Sequence, residues 1–334
     1  MKKIMAVGFS IAGAVIGAGF ATGKELLMFF PENGIAGNIY LAVSFMTMFI
    51  TASLFCSKRE SENIFIKKTD KFFELIFYIF TGATFSVMLS CGGETLYELF
   101  GISVDFGVVI TYIICMVITF FGISGVYFFN SVITPAMLFC IISVCIRGTT
   151  QKVSNMAYYM FKSVSYSGFN LLTLLPFMKN ISIKEKKKIF VFGSFFGFLL
   201  VTLCGITVKM VVDKYSVFLT DEIPMLKIAS LIDKNIGYFY GVLIYFAVLT
   251  TAVSCIFSLS EVLNKYLVSF PLLFIAFFGF EILISKVYTF FGYIGMVYII
   301  YILLTVIFFE NGKELKKHER RKRSDSKYNT GEQR

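Results

Sequence analysis

The first hydrophobic segment of the chain contains glycines where a membrane-spanning helix needs an unbroken backbone. Residues 4–30 hold enough apolar sequence to cross a bilayer, which takes about 20 residues at about 1.5 Å each. Gly13, Gly17, Gly19 and Gly23 interrupt this segment, and each costs about 1 kcal/mol of helix propensity relative to alanine. Backbone groups freed at this depth are tolerated only where they line a protein-enclosed cavity. The cluster predicts a discontinuous helix at a binding site, and close helix packing through small-xxx-small spacings is the alternative.

The residues after the glycines predict a new helix start inside the same segment. Thr22 and Glu25 have the Thr-x-x-Glu spacing of a capping box, which is typical of a helix N-terminus. We therefore expect a second helix to begin at Lys24, and we interpret Glu25 as a structural capping residue.

The composition is that of an integral membrane protein. The chain is 57% hydrophobic and only 16% charged, and its mean hydropathy is +0.78. Its net charge of +10 falls in loops between apolar segments, so we expect a lipid bilayer and not nucleic acid as the partner. The single histidine, His318, lies in the polar tail, and no two of the seven cysteines have CxxC spacing. We therefore expect no cofactor.

Apolar runs divide the chain into ten predicted membrane spans. They lie near 4–30, 34–56, 72–99, 106–124, 128–146, 155–178, 189–211, 236–260, 267–285 and 289–309. Lysine and arginine concentrate in alternate loops and in the tail, which predicts a multi-pass protein of the cell membrane with both termini in the cytoplasm.

Ten spans suggest two halves of five, and an odd number of spans inverts the second half relative to the first. We predict a transmembrane domain over 1–310, with repeats at 1–148 and 155–310, and a basic, disordered tail over 311–334. The sixth span is then the counterpart of the first. Its least helix-favouring stretch, residues 165–170, again lies mid-span and predicts a second break.

The glycine run carries a family resemblance. Residues 13–20, Gly-Ala-Val-Ile-Gly-Ala-Gly-Phe, resemble the first-helix motif of the amino acid–polyamine–organocation transporters, and residues 21–25, Ala-Thr-Gly-Lys-Glu, are similar to the YkvI family of bacterial membrane proteins. The resemblance implies a LeuT-type fold, which is an all-α five-plus-five inverted repeat with helices 1 and 6 discontinuous at the substrate site. On that basis the candidate substrate-binding residues are Gly17, Ala18, Gly19, Phe20, Glu94, Ser165, Tyr166, Ser167, Gly168 and Asn170.

The same resemblance implies a candidate sodium site. Sodium-coupled relatives carry an Ala-x-x-Thr-Ser/Thr pattern in helix 8, which residues 247–251 match through Ala247, Thr250 and Thr251. The carbonyls of Gly13 and Ile16 are the implied partners, and oxygen-only ligation suits a hard cation. The alternative is that both hydroxyls bond to their own helix. Phe20 stands where a second sodium site has asparagine.

Some proton-coupled relatives place a lysine from helix 5 in this sodium site. The predicted fifth span, 128–146, contains no lysine, which puts sodium ahead of the proton as the expected coupling ion.

Charged residues inside spans are further functional candidates, because each is costly in lipid. Glu94 and Lys162 could meet a substrate charge or pair with each other, whereas Glu281 is interpreted as structural, with Lys286 nearby. Between Val212 and Asn235 the pattern predicts a short amphipathic helix, either a lid or a simple linker.

The function expected from these features is secondary active transport of a small amino-acid-like solute, with sodium as the coupling ion. A proton-coupled transporter and a transporter-fold ligand sensor, as in the germinant-receptor branch of the superfamily, are the alternatives. An enzyme is not expected, because the spans contain no HExxH motif and no Ser/His or Cys/His pairing.

Overall fold

The computed structural model describes residues 1–30, 35–57, 64–121, 156–218, 220–260 and 264–306, and every regular element in these ranges is helical. The helices are α1 (Lys2–Val15), α2 (Ala18–Thr22), α3 (Lys24–Phe29), α4 (Ile35–Ser57), α5 (Ile64–Phe100), α6 (Val104–Phe121), α7 (Met156–Lys184), α8 (Lys187–Lys214), α9 (Pro224–Ile232), α10 (Lys234–Ser260), α11 (Lys265–Ala276) and α12 (Phe280–Val306), with a 3₁₀ turn at Ser216–Phe218.

Five of the described helices are long and apolar enough to cross a membrane, namely α4, α5, α8, α10 and α12. The first predicted span is divided into α1, α2 and α3, and α6 and α11 are apolar but shorter. The predicted span at 128–146 and the tail at 311–334 lie outside the described residues. The protein is therefore an all-helical, multi-pass membrane protein, and the ten-helix inverted repeat stays a prediction.

The described helices pack in two groups. In the first group α1 crosses α8, and α4 packs against both α7 and α8. In the second group α5 packs along α10, α6 and α11. The short helix α2 contacts α10 and α5, and α3 contacts α7 and α8. The divided first segment therefore joins the two groups, and its breaks lie between them.

One predicted boundary was wrong. The sequence placed span 267–285 before span 289–309, but α11 ends at Ala276 and α12 begins at Phe280. Gly279 makes the turn between them with a φ of 91°, a conformation that costs glycine little and other residues more. Since a glycine can end a helix inside an apolar run, hydropathy alone misplaced this turn.

The predicted break in the sixth span was also wrong, because α7 runs without interruption through Ser165, Tyr166, Ser167, Gly168 and Asn170. The side chains of Ser167 and Asn170 donate to the carbonyls four residues earlier in the same helix, at 2.8 and 3.1 Å. Polar residues that bond back to their own helix do not need a break to satisfy their hydrogen bonds.

Gly168 has a different role in α7, since it allows a close crossing with α12. A Cβ atom built on Gly168 would lie 2.5 Å from the carbonyl carbon of Gly295. Gly292, one turn earlier on α12, faces Ser165, whose hydroxyl oxygen lies 2.5 Å from the corresponding Cβ position. The small residues of α7 therefore serve helix packing.

Candidate functional site

The first hydrophobic segment is interrupted at two points. At the first, Gly17 is extended (φ −90°, ψ −172°), and its amide donates to the carbonyl of Val15 at 2.9 Å. This amide is thereby turned away from Gly13, whose carbonyl it would reach in a continuous helix. At the second, Gly23 adopts a left-handed conformation with φ 78° between α2 and α3. The discontinuous first helix predicted from the glycines is therefore present.

The helix start at Lys24 was predicted correctly, but its capping box was not. Gly23 is the N-cap residue of α3 and has no side chain, and the Thr22 hydroxyl accepts a hydrogen bond of 3.4 Å from the amide of Lys24 instead of from the amide of Glu25. Thr22 donates its hydroxyl to the carbonyl of Gly19 at 2.8 Å. Glu25 turns away from the helix end and accepts a hydrogen bond from Tyr166. The spacing matched a capping box, but the left-handed glycine moved the helix start beyond Thr22.

Helix α10 lies against the first break. The hydroxyl of Tyr240 donates to the carbonyl of Ala21 at 2.7 Å, which ties α10 to α2. The hydroxyls of Thr250 and Thr251 both donate to the carbonyl of Ala247, at 3.0 and 2.8 Å. The hydroxyl oxygen of Thr251 also lies 3.8 Å from the Cβ position of Gly17. The structure thus brings this threonine next to the break, and its hydroxyl keeps lone pairs that can accept a ligand.

A buried carboxyl group stands at the second break. Glu25 is 5% exposed, and its Oε1 accepts a hydrogen bond of 2.9 Å from the hydroxyl of Tyr166. The side chain of Asn170 also faces this carboxyl group. The other oxygen, Oε2, lies 2.7 Å from the Cβ position of Gly19. Any side chain at residue 19 would therefore displace the carboxyl group.

An ionised Glu25 carboxylate would cost more free energy in this position than its hydrogen bonds return. An acidic side chain at the centre of a membrane helix costs about 2.5–3.5 kcal/mol on insertion scales. A hydrogen bond to a charged group returns about 1.5–3 kcal/mol. Among the described residues, no lysine or arginine forms an ion pair with Glu25. The Tyr166 hydroxyl is therefore its main compensation.

A chain of aromatic rings begins at Tyr166, the hydrogen-bond partner of Glu25, and joins α3, α5, α7 and α12. The ring of Tyr166 lies 5.0 Å from that of Phe29, and the rings of Phe169 and Tyr288 are 4.2 Å apart. Phe80 of α5 contacts Phe169 with a centroid separation of 5.5 Å. The separations of 5.0 and 5.5 Å lie within the range of about 4.5–7 Å for favourable aromatic pairs, and the rings of Phe169 and Tyr288 are slightly closer. The candidate site therefore combines a broken backbone, one carboxyl group and an aromatic wall.

A cluster of charged groups lies at the N-terminus of α3, directly after Gly23. Lys24 pairs with Glu281 of α12 at 3.1 Å and donates to the carbonyl of Asp221 at 3.0 Å. Lys227 of α9 pairs with Glu98 of α5 at 2.5 Å. The partner predicted for Glu281 was therefore wrong: Lys286, close in sequence, is replaced by Lys24 from the opposite end of the chain.

The predicted short helix between the seventh and eighth spans is present as α9, and it covers the second break. Met225 is fully buried, and its Cγ lies 3.0 Å from the Cβ position of Gly23. Burial raises the pKa of the neighbouring Glu222, whereas the charge of Lys24 lowers it and that of Glu281 raises it. The loop thus packs directly on the broken helix.

Glu94 lies in α5, half-buried, and its charged neighbours are Glu222 and Glu98. Lys162, the alternative partner for Glu94, donates its ammonium to the carbonyl of Met28 at 3.3 Å. Glu94 therefore faces the charged cluster, while the carboxyl group beside the broken helix is Glu25.

Sequence reasoning missed two features of the site. Glu25 was interpreted as a helix cap because its partner, Tyr166, is 141 positions away in the chain. A second buried pair, Lys209 with Asp213, lies within α8 and is almost inaccessible to solvent. The i, i+4 spacing of Lys209 and Asp213 inside an apolar span is the signal that could have revealed this pair.

The fold of the described residues is shared with a solved membrane transporter. The structure is similar to the crystal structure of the Eremococcus coleocola manganese transporter in complex with an aromatic bis-isothiourea substituted compound, with a TM-score of 0.55 at 12% sequence identity. The match covers 90% of this chain and 78% of that one. At this identity the likeness shows a shared fold.

By sequence, the chain is a homologue of the uncharacterized membrane protein YkvI of Bacillus subtilis (strain 168). The two are 25% identical over 326 residues, which cover 87% of this chain and 92% of YkvI. The uncharacterized protein YyaD of the same organism is 26% identical over 197 residues, which cover 53% of this chain and 56% of YyaD. No family model matches the chain. The resemblance to YkvI that residues 21–25 indicated is confirmed.

Proposed function

We propose that this protein is a secondary active transporter that moves a small amino-acid-like solute across the cell membrane by alternating access. The observation that carries the proposal is the double interruption of the first helix at Gly17 and Gly23, between two groups of packed helices in a transporter fold. Broken helices at the interface of two helix groups are where such proteins place their substrate.

An amino-acid-like solute suits the groups that the break offers. An interrupted helix frees both amide donors and carbonyl acceptors, so it can meet a carboxylate and an amine in one place. The Glu25 carboxyl group adds an acceptor for an amine, and the rings of Phe29, Tyr166 and Phe169 offer an apolar wall to a side chain. Both termini are proposed to lie in the cytoplasm, as the distribution of lysine and arginine indicates.

Sodium is proposed as a coupling ion at the carbonyls of Gly13, Ile16 and Ala247 and the hydroxyls of Thr250 and Thr251. Support comes from the position of Thr251 next to Gly17 and from the turn of the Gly17 amide away from Gly13. Manganese, the ion of the structural neighbour, is not proposed. In the described part of the chain, no three His, Cys, Asp or Glu side chains gather where they could hold a metal ion.

The proposal is tested in two steps with the purified full-length protein. First, thermal unfolding is measured with each of the protein amino acids, in sodium and in choline buffer, to find a stabilising solute. Second, that solute is used in a counterflow assay in proteoliposomes. Exchange of labelled for unlabelled solute is expected of a transporter. Stabilisation without exchange would refute transport and indicate a ligand sensor.

The sodium site is tested with the double variant Thr250→Val, Thr251→Val. Since allosteric couplings are typically about 1–3 kcal/mol, this variant should need roughly tenfold more sodium for half-maximal solute binding. Thr202→Val is the matched control, because its hydroxyl also donates to a carbonyl of its own helix, at 2.7 Å on α8. Equal sodium dependence in the wild type and the double variant would contradict the site.

A further inference from the structure

The Glu25 carboxyl group is shielded from water and has neutral hydrogen-bonding neighbours. Tyr166 and Asn170 face it from α7, and Tyr288 faces it from α12. Tyr166 is fully buried, and Tyr288 is 2% exposed. Asn170 donates one amide N–H to the carbonyl of Tyr166 and keeps a second N–H and its amide oxygen. Its side chain can therefore form a hydrogen bond with either protonation state of the carboxyl group, and burial without a cation among the described residues is what favours the neutral acid.

The charged groups of the surrounding helices have partners of their own. On its own helix, Lys24 pairs with Glu281. On the neighbouring helices, Lys162 donates to the carbonyl of Met28, Lys209 pairs with Asp213, and Lys227 pairs with Glu98. The neutral hydroxyl of Tyr240 donates to the carbonyl of Ala21. Among the described residues, Glu25 therefore stands without a cation, in a position where an ionised carboxylate is costly.

The position of Glu25 in the fold adds a way for its surroundings to change. It lies on α3, a six-residue helix whose link to α1 passes through the extended Gly17 and the left-handed Gly23. A rotation of α3 at these glycines would separate Glu25 from Tyr166 and bring its carboxyl group towards water. A carboxyl group that alternates between a dry and a wet environment changes its preferred protonation state.

We propose that Glu25 is the proton-binding residue of this transporter, protonated while α3 is closed against Tyr166 and ionised when α3 opens to water. In the step itself, the ionised carboxylate takes one proton from water and becomes a neutral carboxylic acid, and the reverse step returns the proton to the water on the side that is then open. The inference rests on the proposed transport function and adds a coupling group to it. It uses residues different from those of the sodium site.

The protonation state is tested first, without any solute. The full-length protein is reconstituted in phosphatidylethanolamine and phosphatidylglycerol vesicles, and infrared difference spectra are recorded between acidic and alkaline pH. Beside the bands of the other carboxyl groups that titrate in this range, the wild-type spectrum should contain one carboxylic-acid carbonyl band that is missing from the spectrum of Glu25→Gln. Glu94→Gln is the matched control, since it removes another carboxyl group from a span, and it should keep the band.

Tyr166→Phe provides a second variant that keeps the aromatic ring but removes the hydrogen bond to Glu25. It should shift the frequency of the Glu25 band and leave its intensity, so the inference stays testable if Glu25→Gln does not fold. If the wild type and Glu25→Gln have the same carboxylic-acid bands, or if Glu94→Gln removes the band assigned to Glu25, the proposal is overturned.

Coupling is then measured in proteoliposomes with a radiolabelled mixture of the protein amino acids as the probe. An acidic exterior should raise the initial uptake by the wild type roughly tenfold, in line with typical coupling energies. Glu25→Gln should lose this stimulation, so that its uptake, normalised to its own counterflow exchange, no longer responds to the pH gradient. Exchange by the wild type with no response to the pH gradient would refute the proton role and leave transport standing. The absence of any exchange would refute transport, and the infrared result would still decide whether Glu25 binds a proton.

Discussion

Replacement of Gly168 by alanine tests the close crossing of α7 and α12. The added Cβ atom would lie 2.5 Å from the carbonyl carbon of Gly295 and from the amide nitrogen of Met296, and 2.9 Å from the carbonyl oxygen of Gly292. An ordinary contact begins at 3.4 Å, so the helices must separate by about 0.9 Å, the difference from 2.5 Å. All three neighbours are backbone atoms, which cannot yield by changing rotamer.

The expected cost follows from two opposing effects. Overpacking typically costs about 1–3 kcal/mol, and a backbone contact falls at the upper end of that range. Alanine returns about 1 kcal/mol of helix propensity. We therefore expect Gly168→Ala to lower the free energy of unfolding by about 2 kcal/mol, measured by denaturant titration of the purified protein in detergent micelles.

Gly82→Ala is the matched control for this measurement. Gly82 also lies inside a helix, but its Cβ position is 3.4 Å from the tip of Leu272, a flexible side chain. This variant should match the wild type or gain up to about 1 kcal/mol from helix propensity. If Gly168→Ala and Gly82→Ala have the same stability, the crossing is not as close as described and the packing argument for α7 fails.

Three further changes test the second break and the charged cluster. Gly23→Ala should destabilise the protein by about 1–2 kcal/mol in the same titration, because a left-handed conformation disfavours alanine; an unchanged midpoint would contradict this conformation. A double-mutant cycle of Lys24→Ala and Glu281→Ala should give a coupling energy of only about 0.2–1 kcal/mol that falls with salt, because Glu281 is more than half exposed. A coupling energy independent of salt would contradict the ion pair between these two residues. Burial raises the pKa of Glu222, so this residue should contribute stability at acidic pH that is lost as the pH rises through its raised pKa. Glu222→Gln should flatten that part of the pH profile of the unfolding temperature. An unaltered slope would refute the effect.

The break in the first helix was predictable because its cause is local. Glycine weakens a helix whatever lies around it, and a left-handed residue such as Gly23 ends one helix and precedes the next. The sequence therefore contained enough to place both the interruption and the start of α3 at Lys24. The resemblance to YkvI that the neighbouring residues indicated extends over 87% of the chain.

The state of α7 was not predictable, because the same residue types serve two purposes. Ser167 and Gly168 weaken an isolated helix, and they also allow a close helix crossing once a partner such as Gly295 is present. Whether these residues break α7 or allow a close crossing depends on α12, which lies more than a hundred positions further along the chain. The environment of Glu25 likewise depends on Tyr166, which no local pattern around Thr22 could indicate.

The predicted glycines and the unpredicted carboxyl group meet at Gly19. The Oε2 atom of Glu25 lies 2.7 Å from the Cβ position of Gly19, so the glycine both weakens the helix and leaves room for the carboxyl group. Gly19→Ala should therefore be destabilising in the wild type and less so in a Glu25→Ala background, where the contact is absent. Contacting residues typically show coupling energies of about 0.5–3 kcal/mol, and we expect a value within that range from denaturant titrations of the four proteins. Alanine by itself favours the helix, so any destabilisation by Gly19→Ala must come from the contact with Glu25. If the effects of Gly19→Ala and Glu25→Ala on the free energy of unfolding are additive, Gly19 acts only on the backbone and does not position Glu25.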